Sequence, residues 1–83
     1  MLAEMASNTN AMTTTIHVRL LNEGTDVSRP TEGRAMGDGV YEILPTADYD
    51  PLDEEWEFPP GSRVRIAKRE SADEGEYFIA VAE

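Results

Sequence analysis

The sequence predicts an all-β protein, a small barrel of five strands. Three observations lead there. Apolar and polar residues alternate at period two in several short runs, as in "TTIHVRLL" and "YFIAVA". Turn-forming clusters such as "NEGTD", "GDG" and "SADEGE" separate those runs. No ten-residue stretch after the N-terminus carries an apolar stripe at helical spacing. Several short strands joined by tight turns must hide their edges, and closing into a barrel does so.

The first strand is expected over 14–21, with Ile16, Val18 and Leu20 on one face and Thr15, His17 and Arg19 on the other. Asn22 to Asp26 then supplies a turn, in which Gly24 can take positive φ. The second strand spans 26–36. Pro30 lies within it and cannot donate to a ladder, so it marks a bend or an edge. Gly37-Asp38-Gly39 is a hairpin turn leading into a third strand over 40–45, with Tyr41 and Ile43 on one face. A long loop, Pro45 to Pro60, comes next. Within it "DPLDEE" has the composition of a single helical turn, with Asp50 as its cap and Pro51 at its first position. The fourth strand, 62–70, points Val64 and Ile66 one way and Arg63, Arg65 and Ala67 the other. The fifth, 76–82, has Tyr77, Ile79 and Val81 on one face and Phe78 and Ala80 on the opposite one.

The expected core is therefore Ile16, Val18, Leu20, Val27, Tyr41, Ile43, Trp56, Val64, Ile66, Ile79 and Val81. One domain is expected from 83 residues, covering 13–83. Residues 1–12 read as a flexible, disordered extension rich in Ser, Asn, Thr and Ala, with Met1, Met5 and Met12 as three candidate starts. A chain starting at Met12 should melt within a few degrees of the full chain. A thermal melt of the two side by side checks this, and a collapse of the midpoint would contradict it.

Charge narrows the function. Seventeen acids face seven bases, a net charge of −10. Nucleic acid and anionic membranes both need a basic surface, so neither is an expected direct partner. No apolar run approaches the roughly 18 residues that cross a bilayer, and the N-terminus has no basic and apolar regions of a secretory signal. The absence of Cys rules out disulfides and thiolate metal sites and fits a reducing cytoplasm. The charge is also unevenly placed. Between Ala35 and Ser62 there are eight acids and no Lys or Arg, whereas Arg63, Arg65, Lys68 and Arg69 hold four of the seven bases.

"EEWEFPPGSRVRI", residues 54–66, is the densest signal. Trp56 and Phe58 lie two apart and share a face if extended, and Pro59, Pro60 and Gly61 stiffen and then turn the chain. The favoured expectation is that the two rings cap one end of the barrel and pin an acidic loop to it. The rival is an aromatic ligand groove. Either way the candidate interaction residues are Asp48, Asp50, Asp53, Glu54, Glu55, Trp56, Glu57 and Phe58, facing a basic protein partner.

Chemical motifs are weak. "DYDPLDEE" resembles a calcium loop, but Leu52, Asp53 and Pro59 stand where that loop needs an acid or Asn, Gly and Glu. His17 is the only histidine. Paired with Ser28, Ser62 or Ser71 it lacks a nucleophile-elbow setting. No glycine-rich phosphate loop is present. The expectation is a non-enzyme without catalytic residues, metal or cofactor.

In strand count, strand length and the Gly–x–x–Val approach to a strand the pattern resembles SH3-like small barrels. The chain also resembles a group of small bacterial proteins built around "GTxVxRPxE", "GDGxYxI" and "WEFPPGSxVR", here Gly24 to Glu32, Gly37 to Ile43 and Trp56 to Arg65. Where that group carries Trp, this chain has Ser28. The resemblance implies a fold and no activity. The resulting expectation is an acidic, cytoplasmic protein-interaction module. An alternative from another class is a phage-type inhibitor that mimics nucleic acid, motivated by the small size and the charge. RNA binding through Arg63, Arg65, Lys68 and Arg69 with Tyr77 and Phe78 is disfavoured by overall repulsion. The sequence does not show the oligomeric state.

Overall fold

The computed structural model describes residues 13–24, 27–73 and 75–83, so the extension expected over 1–12 lies outside the described residues. Six strands are present: β1 (Thr13–Leu21), β2 (Ser28–Gly37), β3 (Val40–Ile43), β4 (Glu55–Trp56), β5 (Arg63–Ser71) and β6 (Gly75–Val81). Five of them match the expected strands, with ends shifted by one or two residues. The two-residue β4 was not foreseen and lies inside the long loop. No helix is found among the described residues, hence none long and apolar enough to cross a membrane.

The strands form a ring. β1 pairs with β2, β2 with β3, β3 with β5 and β5 with β6, all antiparallel. An odd number of strands laid alternately up and down must close with two running the same way. Accordingly β6 meets β1 in parallel. The result is the expected five-stranded SH3-like small barrel, with uneven closure. β1 and β2 stay in register from Thr13↔Arg34 to Arg19↔Ser28, whereas β1 and β6 pair only at His17↔Ile79.

Local chemistry sets the turns. Asp38 and Gly39 both have positive φ (58° and 78°), the two-residue turn whose twist suits a hairpin. Just before it, Met36 is an extra residue on β2: Ala35 faces Tyr41 and Gly37 faces Val40. Pro30 sits opposite His17 within β2, at a position that directs no backbone bond to β1. Leu20 donates to the Val27 carbonyl at 2.9 Å, and alternation then puts residues 14, 16 and 18 of β1, not 17, in bonding contact with β2. The missing N–H of Pro30 is thus not needed there, as the edge reading of that proline requires.

The ring defines the core through its register. Ile16, Val18, Ile43, Trp56, Val64 and Ala80 form one buried cluster, with Leu20, Tyr41, Tyr49, Phe58 and Ile66 packed against it. Thr31, also buried, donates its hydroxyl to the Leu44 carbonyl and so leaves neither group unsatisfied. Gly33 provides a gap that Ile16 fills: a Cβ there would lie 2.2 Å from Ile16 Cδ1.

Two core expectations need correction. Val27 is 38% exposed, because β2 begins one residue later and leaves it at the rim. β6 is turned over. Ile66 faces Ala80 and Lys68 faces Phe78, so Phe78 and Ala80 share the inner face of β5. Tyr77, Ile79 and Val81 therefore point out of the barrel, although theirs is the more apolar face. Ile79 is nonetheless 7% exposed, covered from outside the ring, and Val81 is half-buried. Val40, absent from the expected core, is buried beside the turn and outside the main cluster.

Candidate functional site

The loop from Leu44 to Ser62 carries the sequence-derived candidates, and it is held at both ends. At its base Ile43 donates to the Ser62 carbonyl (2.9 Å) and Gly61 to the Ile43 carbonyl (2.7 Å). At its far side β4 pairs with the end of β1, Leu20 facing Trp56 and Leu21 facing Glu55, and Glu57 N–H reaches the Arg19 carbonyl at 2.8 Å. Pro60 and Gly61 are the central residues of a turn closed by Ser62 N–H on the Pro59 carbonyl at 3.0 Å, and the φ of 93° at Gly61 is the one that type II form demands.

Asp50 organises the acidic apex. Its Oδ1 accepts from Leu52 N–H at 2.9 Å, and its carbonyl accepts from Asp53 (2.9 Å) and Glu54 (3.0 Å). This is the single turn expected from "DPLDEE", capped by its aspartate. It projects Leu52 into solvent, 93% exposed.

The candidate residues divide into two sets. Trp56 is 3% exposed and packs edge-on against Tyr49, with ring centroids 4.7 Å apart. Phe58 is half-buried on the core. Glu54 takes Trp56 Nε1–H at 2.9 Å on one oxygen and the Arg29 guanidinium on the other. Those three residues hold the loop to the barrel, and Trp56 is part of the core and not a solvent-facing anchor, whereas Phe58 keeps part of its ring on the wall of a shallow cavity. Asp48, Asp50, Asp53, Glu55 and Glu57 remain exposed. Asn22 Nδ2 donates to Glu55. Arg29 of β2 is ion-paired with this loop through Glu54. Of the β5 bases, Arg63 stands opposite Glu42 and Arg65 Nη1 donates to the Asp38 carbonyl at 2.9 Å, whereas Arg69 lines a shallow cavity with Arg19 and the loop residues Glu57 and Phe58.

A second surface was not anticipated. The outward residues of β1 and β6 meet at the seam, where His17 lies against Tyr77 with ring centroids 4.6 Å apart and shares a 3.2 Å hydrogen bond with Ser28 through Nδ1. Towards the start of both strands the seam opens into a cleft of about 520 Å³ lined by Thr14, Thr15, His17, Lys68, Glu76, Tyr77 and Phe78. Thr15 and Tyr77, the next pair of a continued parallel ladder, are not in register contact. Beside it lies a crease of about 190 Å³ lined by Arg19, Val27, Ser28, Arg69, Tyr77 and Ile79. Its signal was present in the alternation of β6, but only the partner strand shows which face is outside.

The His17–Ser28 contact places a hydroxyl beside a base, as in a nucleophile–base pair. The third member of a triad would be a carboxylate holding the imidazole, and no His17–carboxylate hydrogen bond occurs among the described residues. No group of three or more Asp, Glu or His among the described residues is placed to hold a metal ion. No family model matches the chain, and no curated protein and no solved structure shows a significant match to it.

Proposed function

We propose that this protein is a non-enzymatic interaction module, acting in the cytoplasm, whose acidic loop docks a basic protein surface. The observation that carries this reading is a set of exposed carboxylates, Asp48, Asp50, Asp53, Glu55 and Glu57, on a loop clamped by β4, Trp56 and the Asp50 turn. Charges on a fixed loop lose little freedom on binding and can steer a partner of opposite sign. The nucleic-acid-mimic reading has less support. Glu42 bonds Arg34 (2.6 Å) and Glu76 lies 3.8 Å from Lys68, so bases interrupt the acids on the barrel wall.

The test uses a partner captured by cross-linking in the source cell and then purified. Its association rate should fall steeply as the Debye length shrinks from about 30 Å at 0.01 M salt to about 8 Å at 0.15 M. Changing Asp48 and Asp53 to Asn and Glu55 and Glu57 to Gln should slow association by about tenfold or more while leaving the melting temperature in place. Glu54 is left untouched because it ties Trp56 to Arg29. An unchanged rate with unchanged salt dependence would reduce the loop to a solubilising element.

A further inference from the structure

We infer that the split between β1 and β6 is a strand-acceptor site. An extended peptide segment of a partner protein lies in the cleft between Thr15 and Phe78 and runs antiparallel to both strands. It carries an apolar residue and, two positions later, a Lys or Arg. The site is separate from the acidic loop, so it stands or falls independently of the docking reading.

The main chain selects an extended occupant. Residues 14, 16 and 18 of β1 bond to β2, so the N–H and C=O groups of Thr15 and His17 are directed to the β6 side. His17 uses its pair at Ile79. The next step of that ladder, Thr15 with Tyr77, is absent, and there the strands part around the 520 Å³ cleft. Glu76 and Phe78, which flank Tyr77, are the residues that Thr15 would have bonded. Main-chain groups of both strands are thus turned into one opening, the setting that an added strand completes. Direction follows from strand count. Five alternating strands force β1 and β6 to run the same way. A segment opposed to both replaces that contact by two antiparallel ones, the slightly more stable pairing.

Side chains specify the rest. Phe78 lies on the inner face of β6, yet it belongs neither to the buried cluster nor to the residues packed against it. Its half-buried ring lines the cleft with Thr14 and Tyr77, and the exposed lining is mostly apolar. An apolar guest side chain there covers surface that the core leaves open. Two residues back on the same face, Glu76 stands directly opposite Glu70. Like charges so placed destabilise a strand pair. Lys68 Nζ lies 3.8 Å from Glu76, one exposed base against two carboxylates. At the outer rim Glu32, bonded by Thr15 Oγ1 at 3.2 Å, adds a third. A cation on the guest offsets this excess, and an acid there is repelled. A strand antiparallel to β6 passes Phe78 before Glu76. With side chains alternating at period two, its apolar residue comes first and its base two positions on.

Titration of the full chain with a peptide, followed by amide NMR, tests this. The probe is the capped pentapeptide Thr-Ile-Thr-Lys-Thr. It should shift the amide signals of Thr15, Glu76, Tyr77 and Phe78, and at saturation slow hydrogen exchange at Thr15 and Phe78 by about tenfold or more. N-methylation of the central threonine removes a main-chain donor and should weaken binding by about tenfold. Asp in place of the peptide lysine should weaken it by about tenfold as well. Glu76→Lys, at an exposed position, should keep the wild-type melting temperature and reverse the preference, taking the aspartate peptide over the lysine one. Amides that stay unmoved up to millimolar probe overturn the inference. So does an N-methylated peptide that binds equally well, or a Glu76→Lys variant with the wild-type preference. Binding seen only after removal of residues 1–11 overturns it by assigning the cleft to this chain's own N-terminal segment. Concentration-dependent shifts of the same amides without peptide overturn it in favour of a second copy.

Discussion

Trp56→Ala lowers the stability of this domain by about 3–5 kcal/mol, the usual cost of truncating a buried large aromatic side chain. For 83 residues the whole stability is about 4–12 kcal/mol, at 0.05–0.15 kcal/mol per residue, so the variant is unfolded or close to it. Three losses coincide. The indole leaves a cavity in the cluster with Ile16, Val18, Ile43 and Val64, and Tyr49 loses its edge-on partner. Glu54 also loses the Nε1–H donor that shares it with Arg29. Denaturant titration followed by circular dichroism measures the effect. Trp56→Phe separates the terms: it keeps a ring against Tyr49, drops the hydrogen bond, and should cost clearly less than Ala. A midpoint unchanged in Trp56→Ala would mean that the ring does not contribute to the core.

Gly33→Ala destabilises by about 1–3 kcal/mol, the typical cost of overpacking, although alanine is usually harmless in a strand. Gly33 lies on the inner face of β2, and an added Cβ would approach Ile16 Cδ1 at 2.2 Å and Cγ1 at 3.2 Å. Ile16 is fully buried, so its side chain has little room to retreat. The explanation is tested by a double-mutant cycle. Ile16→Val removes the Cδ1 methyl at a cost of about 0.5–1.5 kcal/mol, and Gly33→Ala made in that background should then cost much less than in the wild type. Additive losses would show that the glycine is needed for its backbone and not for the space it leaves.

The two experiments concern features that differed in how well local sequence announced them. Asp38-Gly39 and the Asp50 turn were legible because their conformations depend on a few adjacent residues: positive φ at a hairpin, and a side-chain carboxylate accepting from backbone two residues on. The strands of the ring were legible for a related reason, since alternation at period two reports a half-buried surface whatever it packs on. The acidic character of the long loop, and the role of Trp56 and Phe58 as its anchor, also followed from composition and spacing.

What remained hidden depends on which strand lies beside which. β6 has two apolar faces, Tyr77–Ile79–Val81 and Phe78–Ala80, and its own residues favour the first as the inner one. The register Ile66↔Ala80 selects the second, and with it places Ile79 and Tyr77 on the outer wall beside His17, Arg19 and Arg69. The same holds for Glu54, one of a run of equivalent acids until β4 docks on β1 and brings it to Arg29 and Trp56. Local propensity determined by itself where this chain turns and where it extends. Only the closed ring decided which of its faces is inside and which of its charges meet, because a strand's alternation defines two faces without naming either, and the choice is made by pairing energy summed over partners distant in sequence.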